Sequence, residues 1–134
     1  GIRVRFEQGK IIESSADKGA EAFARMIGSD EGARRLGEVA LVPHSSPISA
    51  SGIIFNNTLF DENAASHVAV GQSYAMTMRD SESLSPAERA ERGANSSMIH
   101  VDWMIGSADM AIDGITQDGK REPLMRQGEW ASQV

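Results

Sequence analysis

The sequence predicts an α+β fold, and three observations carry that reading. The chain opens on alternating apolar and charged residues, Ile2, Val4 and Phe6 against Arg3 and Arg5, the period-two signature of a half-buried strand. Ala16, Ala20, Phe23 and Ile27 then recur at helical spacing, and Ser85-Pro86-Ala87-Glu88 is a capping box with proline at the first helical position. Apolar segments near the end of the chain are punctuated by Asp-Gly pairs, as in hairpins. Separate helices and hairpins, with no internal repeat and no linker long enough to divide the chain, fit one α+β domain over residues 1–134.

Taken in order, Gln8-Gly9 separates Ile2–Phe6 from Ile11-Ile12 and reads as a β-hairpin turn in which Gly9 supplies φ > 0. Ser14 and Ser15 offer caps for the first helix, and Gly28 is placed to end it. A shorter helix is predicted over Glu31 to Leu36, closed by Gly37, and a strand over Glu38 to Val42 that stops at Pro43. Ser45 to Gly52 reads as a loop, with another short strand from Gly52 to Phe55. Asp61 is positioned to cap an Ala-rich helix from Glu62 to about Met76. The capping-box helix stops at Gly93, Met98 to Ile105 is a strand, and Asp113-Gly114 and Asp118-Gly119 mark turns in a last β region reaching Trp130.

Composition narrows the function. Thirteen Lys and Arg against nineteen Asp and Glu give a net charge of −6, which argues against a general nucleic-acid binder. No apolar run approaches the ~20 residues that span a bilayer, so no membrane partner is expected and a cytoplasmic protein is. The absence of cysteine excludes disulfides, thiolate metal sites and thiol nucleophiles. There is no Walker-type phosphate loop and no Gly-x-Ser-x-Gly elbow. The chain begins Gly1-Ile2-Arg3 in what reads as mid-strand, and is expected to be a piece of something longer.

Three groups of residues carry possible chemistry. On the strand from Met98 to Ile105, His100 and Asp102 project side by side from one face. A metal-binding pair and a solvated His–Asp hydrogen-bonded pair both fit that pattern. On the expected helix, His67 and Tyr74 are two turns apart and almost in line, and Glu62 converges with His67 only if it sits at or before the helix start. A surface His with a half-buried Tyr is the alternative there. Glu38 stands where a strand is expected to begin, either as a ligand or as a solvated end residue. His44, in a Ser/Pro-rich loop, is not nominated. Together Glu38, Glu62, His67, Tyr74, His100 and Asp102 form an oxygen and imidazole donor set that suits Zn²⁺, Co²⁺ or Mn²⁺, and carboxylate-rich sets of this kind are typical of paired-metal hydrolases.

Three blocks of sequence carry a resemblance: Gly37-Glu38-Val39-Ala40-Leu41-Val42-Pro43, Asn57-Thr58-Leu59-Phe60-Asp61-Glu62-Asn63-Ala64-Ala65-Ser66-His67, and His100-Val101-Asp102-Trp103-Met104-Ile105-Gly106-Ser107. In this order they resemble the M29 family of metallopeptidases, the thermophilic aminopeptidase type, and the likeness extends over nearly the whole chain. The resemblance implies a β-rich, C-terminal catalytic portion of a dimeric enzyme whose N-terminal α/β domain is absent here. It implies an aminopeptidase with two divalent ions (Zn, Co or Mn), acting on peptides. Glu38, Glu62, His67, His100 and Asp102 fall on metal-site positions. Tyr74 falls on the active-site tyrosine, and Glu38 doubles as the group that activates water.

Two departures accompany it. The family has a further Glu in a Pro-Thr-Glu-Glu-type motif upstream of the match to Gly1, and some relatives carry a His where Met98 stands. The chain alone is therefore expected to fold, to self-associate through the exposed edge of its first strand, and to be catalytically silent. Rival readings are a non-catalytic dimerisation module and a metal-dependent amidase on non-peptide substrates.

Overall fold

The computed structural model describes residues 1–131; the last three residues of the predicted 1–134 domain lie outside the described residues. Among the described residues, eight strands in three small sheets and four α-helices make the fold α+β, as the sequence predicts. The chain forms two compact units, one of residues 1–39 with 68–102, the other of residues 40–67 with the described chain from residue 103. No helix among the described residues is long and apolar enough to cross a membrane.

In the first unit, β1 (Ile2–Glu7) and β2 (Lys10–Ala16) form an antiparallel hairpin around Gln8-Gly9, both with positive φ. α1 (Ala20–Ile27) packs on β2, burying Phe23 and Ile27 one turn apart beside the buried Ile11. Its start differs from the expected one. Ser14 and Ser15 pair with Val4 and Arg3 in the ladder instead of capping, so Ala16 ends β2 and the helix begins after Gly19, at φ 70°. The second predicted helix contracts to one 3-10 turn, Gly32–Arg34, and Leu36 opens β3 (Leu36–Ala40). Glu38 is therefore in mid-strand, not at a strand start.

β3, β4 (His67–Gly71) and β5 (His100–Met104) form the second sheet, with β4 between the other two. α4 (Pro86–Glu91) carries the complete Ser85/Glu88 capping box and stops before Gly93 at φ 98°, as read from the sequence.

The predicted helix from Glu62 to Met76 is corrected. Asp61 does not cap it; its carboxylate accepts the backbone N–H groups of Phe55 and Asn57. Asn57 caps a short α3 (Thr58–Asp61), a 3-10 turn follows at Glu62–Ala64, and Ala65 is extended. Val68 and Val70 then enter β4, where β-branched residues between two neighbouring strands outweigh the helix propensity of the alanines. His67 and Tyr74 thus share no helix face.

In the second unit the predicted strand from Gly52 to Phe55 does not form. Instead α2 (Pro47–Ser51), capped by Ser46, occupies the serine-rich stretch and ends at Gly52 with φ 64°. β6 (Ile112–Ile115), β7 (Arg121–Arg126) and β8 (Glu129–Trp130) make the third sheet around the fully buried Met125. Asp118-Gly119 is its hairpin turn, whereas Asp113-Gly114 lies inside β6 and is not a turn.

Candidate metal centre

β5 places His100 and Asp102 two residues apart on one face, and Glu38 approaches from β3. His100 Nε2 stands 3.4 Å from Glu38 Oε2 and 3.3 Å from Asp102 Oδ1. Glu38 and Asp102 also bring carboxylate oxygens within 4.8 Å of each other. The Tyr74 ring, half exposed, lies tilted against the imidazole at a centroid distance of 4.8 Å. These four residues share the first unit.

The orientation of the imidazole is fixed from behind. His100 Nδ1 is 2.6 Å from the Gln72 carbonyl oxygen, which can only accept, so Nδ1 carries the proton. In the neutral ring Nε2 then presents a lone pair, and that lone pair faces two carboxylates. This arrangement is repulsive, and either a proton on Nε2 or a metal ion relieves it. A proton shared from Nε2 would draw the oxygens to about 2.7–2.9 Å, the length of charge-assisted N–H···O bonds. Donors bound about 2.0–2.2 Å from one tetrahedral ion stand roughly 3.3–3.6 Å apart. The observed 3.3 and 3.4 Å separations match the second case.

Asp102 supplies the independent observation. Its side chain is 5% exposed, and Oδ1 is buried with no hydrogen-bond partner among the described residues. In the neutral ring, where Nδ1 holds the one N–H, the 3.3 Å approach of His100 Nε2 does not satisfy it. A buried carboxylate oxygen left so is costly unless a cation completes it. The residues therefore fit a divalent ion.

His67 and Glu62 belong to the second unit. His67 opens β4 and is 1% exposed. Its Nδ1 lies 3.0 Å from the Ala65 carbonyl oxygen, the same main-chain anchoring that His100 has. It too turns the lone pair to Nε2, as in ligating histidines. Glu62 opens the 3-10 turn, half-buried. His44 is exposed, its backbone N–H bonded to the Gly128 carbonyl. Met98 is 79% exposed. Gln72 is not legible in the sequence: its contribution to His100 is a main-chain carbonyl, for which no side-chain pattern exists.

The sequence model of the family described as Thermophilic metalloprotease (M29) matches residues 1–130. The chain belongs to the M29 family. Among its M29 relatives, Aminopeptidase 2 of Geobacillus stearothermophilus is 53% identical over all of this chain and 32% of its own length. Aminopeptidase T of Thermus aquaticus is 53% identical over 97% of this chain and 31% of its own. The solved structure of wild-type AmpT from Thermus thermophilus superposes with a TM-score of 0.85 at 52% identity, over 98% of this chain and 32% of that one. The chain thus spans about a third of the length of the M29 relatives it matches.

Proposed function

We propose that this chain is part of the catalytic region of a metal-dependent aminopeptidase, which releases N-terminal residues from peptides at a site holding two divalent ions. The observation that carries the reading is His100 Nε2 set between Glu38 and Asp102, with a buried Asp102 oxygen that lacks a hydrogen bond among the described residues. The family and the aminopeptidase names of the relatives support the same reading.

Glu38, Glu62, His67, His100 and Asp102 are the proposed ligands. Their oxygen and imidazole donors suit Zn²⁺, Co²⁺ or Mn²⁺. Bound ions of this kind supply Lewis acidity, which acidifies water and polarises a scissile carbonyl. Glu38 accepts the proton of the attacking water on a carboxylate oxygen and returns it to the departing amine. The Tyr74 hydroxyl donates a hydrogen bond to the substrate oxygen as it gains negative charge. Remaining acidic groups hold the substrate's terminal ammonium, which selects free N-termini. A homodimer, a cytoplasmic setting and silence of the 134-residue chain on its own belong to the same proposal.

The test uses a full-length M29 protein carrying this segment, loaded in turn with Zn²⁺, Co²⁺ and Mn²⁺. It should hydrolyse an aminoacyl p-nitroanilide and leave the N-acetylated analogue untouched, while calorimetry counts two ions per chain. No turnover with any ion, or equal cleavage of the acetylated compound, overturns the reading. Turnover by the 134-residue chain alone at the full-length rate would overturn its silence.

A further inference from the structure

Gly37, next to Glu38, makes an unusually close backbone approach. A Cβ at this position would lie 2.5 Å from the Gly71 carbonyl oxygen and 2.6 Å from the Gln72 carbonyl oxygen. Both obstacles are main-chain atoms, so no side-chain rotation relieves them. The Gln72 oxygen is the same atom that accepts from His100 Nδ1.

Gln72 is tied down at all its polar groups. Its N–H donates to the Ile99 carbonyl at 2.6 Å. Its side-chain Oε1 accepts from the Ser97 N–H at 3.0 Å, and Nε2 donates to the Ser73 carbonyl at 2.8 Å. Gly71 before it adopts φ 101°, and a side chain there would strike the Ile99 carbonyl. Ser97, Ile99 and His100 all lie on the segment that enters β5. The side chain of Gln72 thus splints its own carbonyl against the strand that bears the imidazole.

We propose that Gln72 is a positioning residue for His100. Its carbonyl, splinted by its own side-chain amide and admitted by the missing side chain of Gly37, holds the ring with Nδ1 protonated and Nε2 turned to Glu38 and Asp102. The consequence for metal binding rests on the function proposed above; the tautomer does not. A purely structural role for the two residues would tie β3 to β4 and leave the imidazole indifferent to them.

Long-range ¹H–¹⁵N spectra of the purified metal-free protein, at a pH where the imidazoles are neutral, separate the two accounts. The chain has three histidines, and His100→Gln assigns the signal. The wild type should show the Nδ1–H tautomer at His100. Gln72→Met keeps side-chain length and removes both side-chain hydrogen bonds, and Gly37→Ala pushes on the carbonyl itself. Each should mix the tautomers and weaken Zn²⁺ binding about ten- to a hundredfold, the usual effect of losing a ligand's supporting bond.

An Nε2–H tautomer in the wild type overturns the proposal. So does a lowered melting temperature in both variants with tautomer and affinity unchanged. If Gly37→Ala fails to fold, Gln72→Met decides alone. Absence of Zn²⁺ binding in the wild type would remove the metal function and leave the tautomer to decide this inference.

Discussion

The Asp30 carboxylate accepts the backbone N–H of Met98 at 2.8 Å, fastening the turn after α1 to the residues that lead into β5. The same carboxylate takes the Ser97 hydroxyl at 2.9 Å and the Ala33 N–H at 2.9 Å. One side chain thereby fixes the entry to the strand that carries His100 and Asp102.

A pH dependence follows. The Met98 N–H, foremost, holds the Asp30 carboxyl below its usual range; partial burial opposes this, and Ser97, Ala33 and Gly32 add to the lowering. A group whose folded pKa is depressed stabilises the fold above its unfolded value and loses that contribution as pH falls through the folded one. Asp30→Asn should therefore lower the urea midpoint at pH 7, and the gap to wild type should close under strongly acidic conditions. A gap unchanged from pH 7 to about pH 2 would contradict the linkage.

Glu38→Gln preserves shape while removing charge and basicity. In the metal-loaded full-length enzyme, kcat should fall by about 10²–10⁴-fold, the range of a lost general base, with the far-UV circular dichroism unaltered. Steady-state kinetics on an aminoacyl p-nitroanilide checks it, and a loss under threefold would remove Glu38 from the proton-transfer step.

Tyr74→Phe deletes one hydroxyl from a ring that is half exposed and rests on His100. A donor acting on developing charge should cost about 10²–10³-fold in kcat with KM nearly constant. Since the ring and its contact remain, the melting temperature should stay at the wild-type value. A change confined to KM would make Tyr74 a substrate-binding group instead.

Asp102→Asn separates stability from function. Without metal and with His100 neutral, the wild-type carboxylate sits against a lone pair and lacks a hydrogen bond at Oδ1 among the described residues, so the neutral amide should leave the metal-free protein as stable or more so. With Zn²⁺ at a hundred times its dissociation constant, wild type should gain about 2.7 kcal/mol, and the variant most of an order of magnitude less affinity and a correspondingly smaller gain. Thermal melts with Zn²⁺ and with EDTA read both effects. A metal-free variant much less stable than wild type would mean that the carboxylate is satisfied by the fold alone.

Local signals were legible where local physics decides. The Gln8-Gly9 hairpin, the Ser85 capping box, the Gly93 stop and the side-by-side projection of His100 and Asp102 all depend on neighbours in sequence. The stretch from Glu62 to Met76 reads as a helix because its alanines favour one, while the outcome is set by β3 and β5, strands distant in sequence. Ser14 and Ser15 illustrate the same conflict: good caps in isolation, they are claimed by the ladder with β1. For the candidate site, Glu38, Tyr74, His100 and Asp102 are legible as candidate donors, and the fold brings them together. The bond that sets the His100 tautomer was not, because every residue offers a carbonyl and only the fold selects one.

That last feature shapes how the gene can change. Both imidazole anchors, at Ala65 and Gln72, are peptide oxygens, which no codon replacement deletes. Point mutation can shift such an anchor only by moving the chain around it. Replacing the Ala65 side chain therefore leaves in place the peptide oxygen that faces His67 Nδ1. What descent must preserve here is a path of the backbone, recorded in glycines such as Gly37 and Gly71 and, at Gln72, in the side-chain amide that splints its own carbonyl.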